Sequence, residues 1–212
     1  MLLQEVHERN INKSALLSSY QVPNLIPLLD IVRVLNEARI RFVLVGAYGL
    51  SGWRQKPRAT EDVDVVVAAR QLKKAVKALL EAFPHLEAVD LPGVTRLRKH
   101  GTEDVVIDVM KPLQQPYREV FKYTEVVTTE GQTYRVPSLE MALVMKFAAM
   151  TSPYRAESAK HQDAHDFILM VENNPGYDRE ELAELGSLIY PDGGKDVVEM
   201  ARKVLAGEKL NL

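Results

Sequence analysis

The fold is decided by residues Val43–Val67, VLVGAYGLSGWRQKPRATEDVDVVV. The apolar run Phe42–Val45 ends at Gly46, and the pattern predicts a strand followed by a short helix over Ala47–Trp53. A basic loop broken by proline comes next, and a second apolar strand begins at Asp62. The order strand, helix, loop, strand predicts an α/β protein.

Two aspartates, Asp62 and Asp64, lie at the mouth of the second strand. Side chains alternate between the two faces of a strand, so residues two positions apart point to the same side. Two adjacent carboxylates repel each other at neutral pH, and a hard divalent cation is the expected group that neutralises them. The alternative for this pair alone is a solvated strand end, where aspartate is common.

A third carboxylate, Asp108, lies in the apolar strand predicted over Asp104–Met110. A charged side chain in such a run is seldom fully buried unless it is paired. If this strand lies beside the strand of Asp62, three carboxylates meet. Three is the minimum for a metal-dependent clamp on a transferring nucleotide.

The chain resembles the polymerase-β-type nucleotidyltransferase superfamily in the order of its key residues, which are Gly46, then Asp62 and Asp64, then Asp108. The surrounding stretch is similar to small bacterial members, whose usual form is hG[GS]-x-A-x…R-x-T-x-D-h-D-h. Arg58 occupies the position of the arginine in that form. In that family the glycine and the small residue after it touch the triphosphate.

A second block resembles the helical motif K-x-A-A…R-D-x-x-D-L of the superfamily branch that contains abortive-infection toxins. The block comprises Lys146-Phe147-Ala148-Ala149-Met150, Arg155, Lys160, Gln162-Asp163 and Asp166-Phe167. Together the two blocks extend the resemblance over residues 25–172.

The chain departs from the family pattern at two positions. Ala47 replaces the second small residue, which leaves a backbone N–H at the start of a helix for phosphate but no hydroxyl. Gln162 replaces the arginine of the R-D pair, with Lys160 and His161 just before it. Which side chain meets the phosphates therefore stays open.

The resemblance implies metal-dependent nucleotidyl transfer with a nucleoside triphosphate as substrate. Asp62, Asp64 and Asp108 are then the ligands of Mg²⁺ (or Mn²⁺), with Asp108 alternatively the general base for the acceptor hydroxyl. The residues expected around the nucleotide are Gly46, Ala47, Arg58, Lys146, Lys160 and Asp163.

Two lysines of the C-terminal half need an anion. Lys146 is the only cation of the apolar helix predicted over Leu139–Met150, so it must reach an anion or extend to solvent. Lys160 and Asp163 lie three residues apart on the next predicted helix. They either pair with each other, or Lys160 meets a phosphate while Asp163 or Asp166 orients the cations or the acceptor.

Residues Val94–Lys99 and Asp104–Met110 predict a hairpin. Its first strand carries Arg96 and Arg98 on one face. We favour an edge strand, where charge blocks unwanted pairing. The alternative is that these arginines border the substrate cleft.

Composition narrows the function classes. The chain has 212 residues, of which 46% are hydrophobic and 26% charged, as in soluble globular proteins. Without cysteine it has no disulfide, thiolate metal site or cysteine nucleophile. Neither a membrane span nor a signal peptide is predicted, so a cytoplasmic location without membrane contact is expected. The net charge of −2 argues mildly against a large RNA footprint.

We predict an α/β fold, with a small, mixed, twisted sheet of the nucleotidyltransferase type and a helical C-terminal half. Residues 1–136 are expected to form the nucleotidyltransferase core with its N-terminal helices, and residues 137–212 a helical subdomain. The resemblance favours a toxin–antitoxin or defence component, with an antitoxin protein as a possible partner. It leaves the acceptor open among tRNA ends, protein hydroxyls and small drugs.

Two rival hypotheses remain. One is a non-catalytic nucleotide- or partner-binding module that retains the fold, favoured by Ala47 and Gln162. The other is a metal-dependent phosphohydrolase that uses the same carboxylates and releases phosphate rather than pyrophosphate.

Overall fold

The computed structural model describes residues 3–21 and 26–210, which form nine α-helices and seven strands. The helices are α1 (Leu3–Gln21), α2 (Leu28–Glu37), α3 (Gly46–Gly49), α4 (Ser51–Arg54), α5 (Leu72–Ala82), α6 (Leu139–Thr151), α7 (Glu157–Asn173), α8 (Arg179–Gly186) and α9 (Gly193–Leu205). The strands are β1 (Phe42–Leu44), β2 (Val63–Val67), β3 (Leu86–Asp90), β4 (Val94–Lys99), β5 (Val105–Met110), β6 (Thr124–Thr129) and β7 (Gln132–Pro137). Among these described helices, none has the length and apolar character needed to cross a membrane.

Five strands form one mixed sheet in the order β1-β2-β5-β4-β3, and β6 and β7 form a separate hairpin. In the larger sheet β2 and β5 run parallel, whereas the other neighbouring strands are antiparallel. The mixed sheet and the helical C-terminal half confirm the predicted fold class. The parallel pair brings the strand of Asp62 beside the strand of Asp108, which is the condition for the three carboxylates to meet.

The sheet is buried on both faces because its strands alternate between two hydrophobic clusters. Phe42, Leu44, Val65 and Val67 face a cluster that contains α2 and α5. Val43, Val45 and Val66 face a second cluster that contains helices of the C-terminal half. Strands that are buried on both faces are continuously apolar, which explains the runs that the sequence shows.

The interpretation of Val94–Lys99 as an edge strand is wrong, because β4 lies between β5 and β3. The edge is β3, which was not predicted. Its sequence, LEAVD, is half exposed and carries two acids, so it lacks a strong strand pattern. Arg98 pairs across the sheet with Glu87, at 2.9 Å, instead of guarding an edge.

Candidate active site

Three carboxylates meet at one place on the sheet. Asp64 and Asp108 are register partners in the parallel pair of β2 and β5, and Asp62 lies two residues before Asp64. One oxygen from each of the three lies within 4.8 Å of the others. Because divalent cations bind carboxylate oxygens at about 2.0–2.6 Å, this spacing fits a cation shared by all three.

The carboxyl groups of Asp64 and Asp108 are harder to ionise than exposed aspartates. Burial raises the pKa of Asp64 to about 7, and the neighbouring carboxylates of Asp62 and Asp108 add to the effect. Burial also raises the pKa of Asp108 to about 6, although Arg96, 3.5 Å away, opposes the shift. A divalent cation would remove this penalty, so the donor set fits a metal in both its geometry and its charge.

The turn after β1 lies close to the carboxylate cluster because the residue at the turn, Gly46, has no side chain. Gly46 has a φ of +59°, and a Cβ at this position would overlap Oδ2 of Asp64. The backbone N–H of Val45 donates to the carbonyl of Asp64 at 2.9 Å, which fixes the turn against β2. Ala47, the next residue, is only 3% exposed and packs in the interior.

Two hydrogen bonds hold the loop between α4 and β2. Thr60 donates its hydroxyl to Oδ1 of Asp62 at 2.9 Å, which orients one of the three carboxylates. The backbone N–H of Arg58 donates to Oγ of Ser14 on α1 at 3.1 Å. The side chain of Arg58 lines the cleft in front of the carboxylates.

The opposite wall, formed by α6 and α7, carries an ordered group of cations. Lys146 donates to Oδ1 of Asp163 at 2.7 Å and lies 2.8 Å from Oδ2 of Asp166. Arg155 donates to Oδ2 of Asp163 at 2.8 Å. Asp163 is 2% exposed and holds both cations in place beside the cleft.

A buried ion pair anchors this group. Arg54 donates to Oδ1 of Asp166 at 2.8 Å, and the two side chains are 1% and 0% exposed. Burial by itself would raise the pKa of Asp166, but Lys146, Arg54 and Arg58 outweigh it and lower the pKa. Asp166 therefore stays ionised and ties the basic loop to α7.

The two walls enclose a cleft of about 440 Å³. The predicted site residues that line it are Gly46, Arg58, Asp62, Asp64, Asp108, Lys146 and Asp163. Two predicted residues do not line it: Ala47 lies behind the turn, and Lys160 pairs with Glu157 at 2.7 Å on the surface of α7. Other residues that line the cleft include Arg96, Tyr117 and Arg155, none of which is among the predicted site residues.

The sequence indicates the place of Arg96, Arg155 and Tyr117 in the site to different degrees. Arg96 is the register partner of Asp108 in the antiparallel pair of β4 and β5 and lines the cleft, whereas Arg98, which the same alternative included, does not line it. Arg155 lies in the second block of the family resemblance, but its pairing with Asp163 depends on the packing of the chain. Tyr117 lies in a loop without periodicity, and no sequence pattern marks it.

A family model described as "Nucleotidyl transferase AbiEii toxin, Type IV TA system" matches residues 28–207. No curated protein sequence matches the chain significantly.

Solved structures share the fold at low identity. A crystal structure of ANT(2")-Ia in complex with adenylyl-2"-tobramycin is 12% identical over 85% of this chain and 95% of its own, with a TM-score of 0.51. The solution structure of the antibiotic-resistance factor ANT(2'')-Ia is 14% identical over 85% and 91%, with a TM-score of 0.52. An antigenic nucleotidyltransferase-like protein from Paracoccidioides brasiliensis is 21% identical over 81% and 89%, with a TM-score of 0.49.

Proposed function

The chain belongs to the AbiEii family of nucleotidyltransferase toxins, and from this premise we propose that it transfers a nucleoside monophosphate from an NTP to an acceptor hydroxyl with the help of a divalent cation. One observation carries the proposal. Oxygens of Asp62, Asp64 and Asp108 lie within 4.8 Å of one another and share a cleft with Lys146 and Arg58. A cluster of carboxylates that faces cationic side chains is suited to a polyanionic ligand, such as a triphosphate, that binds together with a divalent cation.

Asp62 and Asp64 would hold Mg²⁺ or Mn²⁺, with Asp108 as a third ligand or as the general base, and the bound cation would supply Lewis-acid chemistry that offsets the charge of the triphosphate. Arg58, Lys146 and Arg155 bind the phosphate oxygens. Because Asp163 and Asp166 already fix these cations, little reorganisation is needed when the nucleotide enters. Gly46 keeps its turn free of a side chain, so that the phosphates can approach the carboxylates.

Asp108 is the group best placed to accept the proton of the acceptor hydroxyl. Burial raises its pKa, so without a cation beside it this carboxylate is a stronger base than an exposed aspartate. Arg96 contacts the same carboxylate at 3.5 Å and holds it in place. Pyrophosphate leaves on the side of the cleft where Arg58 and Lys146 neutralise it.

The biological setting follows the family. We propose that the protein is the toxin of a toxin–antitoxin pair, that an antitoxin protein is its partner and that it acts in the cytoplasm. The acceptor is an RNA end, a protein or a small molecule. A non-catalytic module is less well supported. Gln162 replaces the arginine of the family pattern, but Arg155 donates to Asp163 and so places another cation at this part of the site.

The experiment is a thermal shift with each NTP, with and without Mg²⁺ or Mn²⁺. Wild type is compared with Asp62→Asn/Asp64→Asn and with Glu61→Gln, a matched control whose carboxylate is exposed. A ligand at 100 times its dissociation constant adds about 2.7 kcal/mol to the stability. Wild type and the control should show a cation-dependent shift that the double variant loses.

The proposal fails if wild type shows no cation-dependent shift with any NTP, or if the double variant keeps the shift. The products of a turnover assay separate the enzymatic hypotheses. Nucleotidyl transfer releases pyrophosphate, whereas release of free phosphate would identify a phosphohydrolase.

A further inference from the structure

The N-terminal helix α1 contacts the loop that carries Arg58. The backbone N–H of Arg58 donates to Oγ of Ser14 at 3.1 Å, and Ser14 is completely buried. The family model begins at residue 28, so α1 lies outside the residues that it matches. The family pattern therefore does not account for this contact.

The face of α1 that packs on the rest of the protein is partly polar. His7, Asn10 and Ser14 follow one another at intervals of three and four residues, so they lie on one side of the helix. None of the three is more than 1% exposed. Burying polar side chains costs free energy unless they are hydrogen-bonded, so this face is stable only where its partners are.

The partners of this polar face lie at defined places on α4 and β7. Asn10 donates to the carbonyl of Ser51 at 2.9 Å, and Nδ1 of His7 lies 3.1 Å from Oγ of Ser51. Nε2 of His7 lies 3.2 Å from the hydroxyl of Tyr134. A shift of α1 by one residue would break these bonds and leave polar groups buried without partners. The helix is therefore held in one position, and Ser14 is held with it.

The guanidinium of Arg58 is held less firmly than the ammonium of Lys146. It approaches Oδ2 of Asp166 at 3.9 Å, which is beyond hydrogen-bond distance, and its Nε has no hydrogen-bond partner in the described part of the chain. Lys146, by contrast, lies 2.7 Å from Asp163 and 2.8 Å from Asp166. The place of the Arg58 side chain in the cleft therefore depends on where its backbone is fixed.

The bond to Ser14 joins the middle of this loop to another element of the fold. Thr60 donates to Asp62, two residues further on, so that bond shapes the loop only locally. The bond between Arg58 and Ser14 spans 44 residues of the chain. Its loss would free the middle of the loop to move relative to the carboxylates.

We propose that Ser14 is a positioning residue of the active site, which holds Arg58 where the phosphates of the NTP need it. Ser14 does not line the cleft, so it acts through the backbone of Arg58. The proposal rests on the proposed function, since it assumes that Arg58 binds the triphosphate. It gives α1, which lies outside the family match, a part in nucleotide binding.

The test is a double-mutant cycle of Ser14→Ala and Arg58→Met. It measures the affinity, with Mn²⁺, for analogues of ATP, GTP, CTP and UTP whose α–β bond cannot be cleaved. Ser14→Thr keeps the hydroxyl and Ser14→Val has the same shape without it, so this pair decides the question if Ser14→Ala does not fold. Tyr134→Phe is the matched control, because it also removes a buried hydroxyl that contacts α1, but one that bonds His7 rather than the loop.

The loss of one neutral hydrogen bond should weaken NTP binding by about three- to tenfold in Ser14→Ala and Ser14→Val. Ser14→Thr and Tyr134→Phe should change the affinity by less than about twofold, because both keep a hydroxyl at position 14. When Arg58→Met is already present, Ser14→Ala should also change it by less than about twofold, because the side chain through which Ser14 acts is missing.

The positioning role is overturned if folded Ser14→Ala or Ser14→Val binds NTPs like wild type. It is also overturned if Ser14→Ala weakens binding equally with and without the arginine side chain, or no more than Tyr134→Phe does, since either result would mean a general effect on the fold. If wild type binds NTPs and Arg58→Met binds them as tightly, the role of Ser14 fails while the proposed function stands. If wild type binds no NTP, both fail.

Discussion

Asp64 and Asp108 lie directly opposite each other in the parallel pair of β2 and β5, and both are partly buried. The sheet thus holds like charges together, and the folded protein has to bear the cost when no cation is bound. The pKa of Asp64 rises from 3.8 to about 7 as a result of burial and of its two acidic neighbours. Protons therefore bind the folded state more tightly than the unfolded one.

The first prediction concerns Asp64→Asn. Because the folded pKa is raised, the free energy of unfolding of wild type without divalent cation should fall as the pH rises from about 4 to about 7 and then level off. The variant lacks this loss, so it should be more stable than wild type at pH 8, by about 1–4 kcal/mol, and no more stable at pH 4. Urea unfolding with EDTA at both pH values measures the difference.

Glu61→Gln is the control for this prediction, because its side chain is exposed and lies outside the cluster. It should follow the wild-type pH dependence. A gain in Asp64→Asn of equal size at pH 4 and pH 8 would show that the variant repacks the site rather than removing a buried charge.

The second prediction compares two glycines that both have positive φ. Gly46 has a φ of +59° and faces the carboxylate of Asp64, whereas Gly101 has a φ of +70° and faces open space. Gly101→Ala should cost only the backbone strain, about 1–3 kcal/mol. Gly46→Ala should cost more, because the new methyl group must also displace Asp64.

The readout that separates the two glycines is cation binding. Gly46→Ala should lose the stabilisation by Mn²⁺, since one of the three carboxylates is moved. Gly101→Ala should keep it. Equal responses to Mn²⁺ in the two variants would mean that Asp64 tolerates the displacement and that the close approach has no part in the site.

The third prediction separates the two lysines to which the family resemblance gave the same role. Lys146 contacts Asp163 and Asp166, whose side chains are 2% and 0% exposed, whereas Lys160 pairs with Glu157, whose side chain is 76% exposed. Lys146→Met should lower NTP affinity by at least about tenfold, since a charge-assisted bond to phosphate is worth about 1.5–3 kcal/mol. Lys160→Met should change it by less than about twofold, because Lys160 does not line the cleft.

Isothermal titration with a non-hydrolysable NTP analogue and Mn²⁺ measures both variants. A comparable loss in Lys160→Met would restore the role that the sequence motif suggested. It would also mean that α7 moves toward the cleft when nucleotide binds.

The sequence predicted those parts of the site that depend on one strand or one helix. The period of two places Asp62 and Asp64 on one side, and apolar runs mark Asp108 and Lys146 as charges that need a partner. The partners themselves could not be predicted. Arg54 and Asp166 are 112 residues apart in the chain, and only the packing of α4 against α7 joins them.

The N-terminal helix shows the same limit. It has no strong apolar stripe, yet its polar residues His7, Asn10 and Ser14 are buried. His7 lies 3.1 Å from Oγ of Ser51, and Asn10 donates to the carbonyl of Ser51 at 2.9 Å. Because α1 is held by buried hydrogen bonds as well as by Val6 and Ile11, hydrophobic periodicity alone gives no signal for its contact with α4.

The fourth prediction concerns the buried pair of Arg54 and Asp166. Asp166→Leu leaves Arg54 buried without its counter-charge, which should cost about 3–5 kcal/mol. Arg54→Met leaves Asp166 beside Lys146, at 2.8 Å, so this variant should cost less, about 1–3 kcal/mol. The double variant Arg54→Met/Asp166→Leu should be more stable than Asp166→Leu alone, because no buried charge is left unpaired.

Urea unfolding of the four proteins closes the double-mutant cycle. Additive costs would contradict the prediction and would mean that water reaches Arg54 once Asp166 is gone. Whatever stability the double variant regains, it should not regain NTP affinity, because Lys146 and Arg58 have lost the carboxylate that both approach. The double variant should therefore regain stability without regaining NTP affinity. Asp166 has two roles, since it neutralises Arg54 in the core and orients the cations of the cleft.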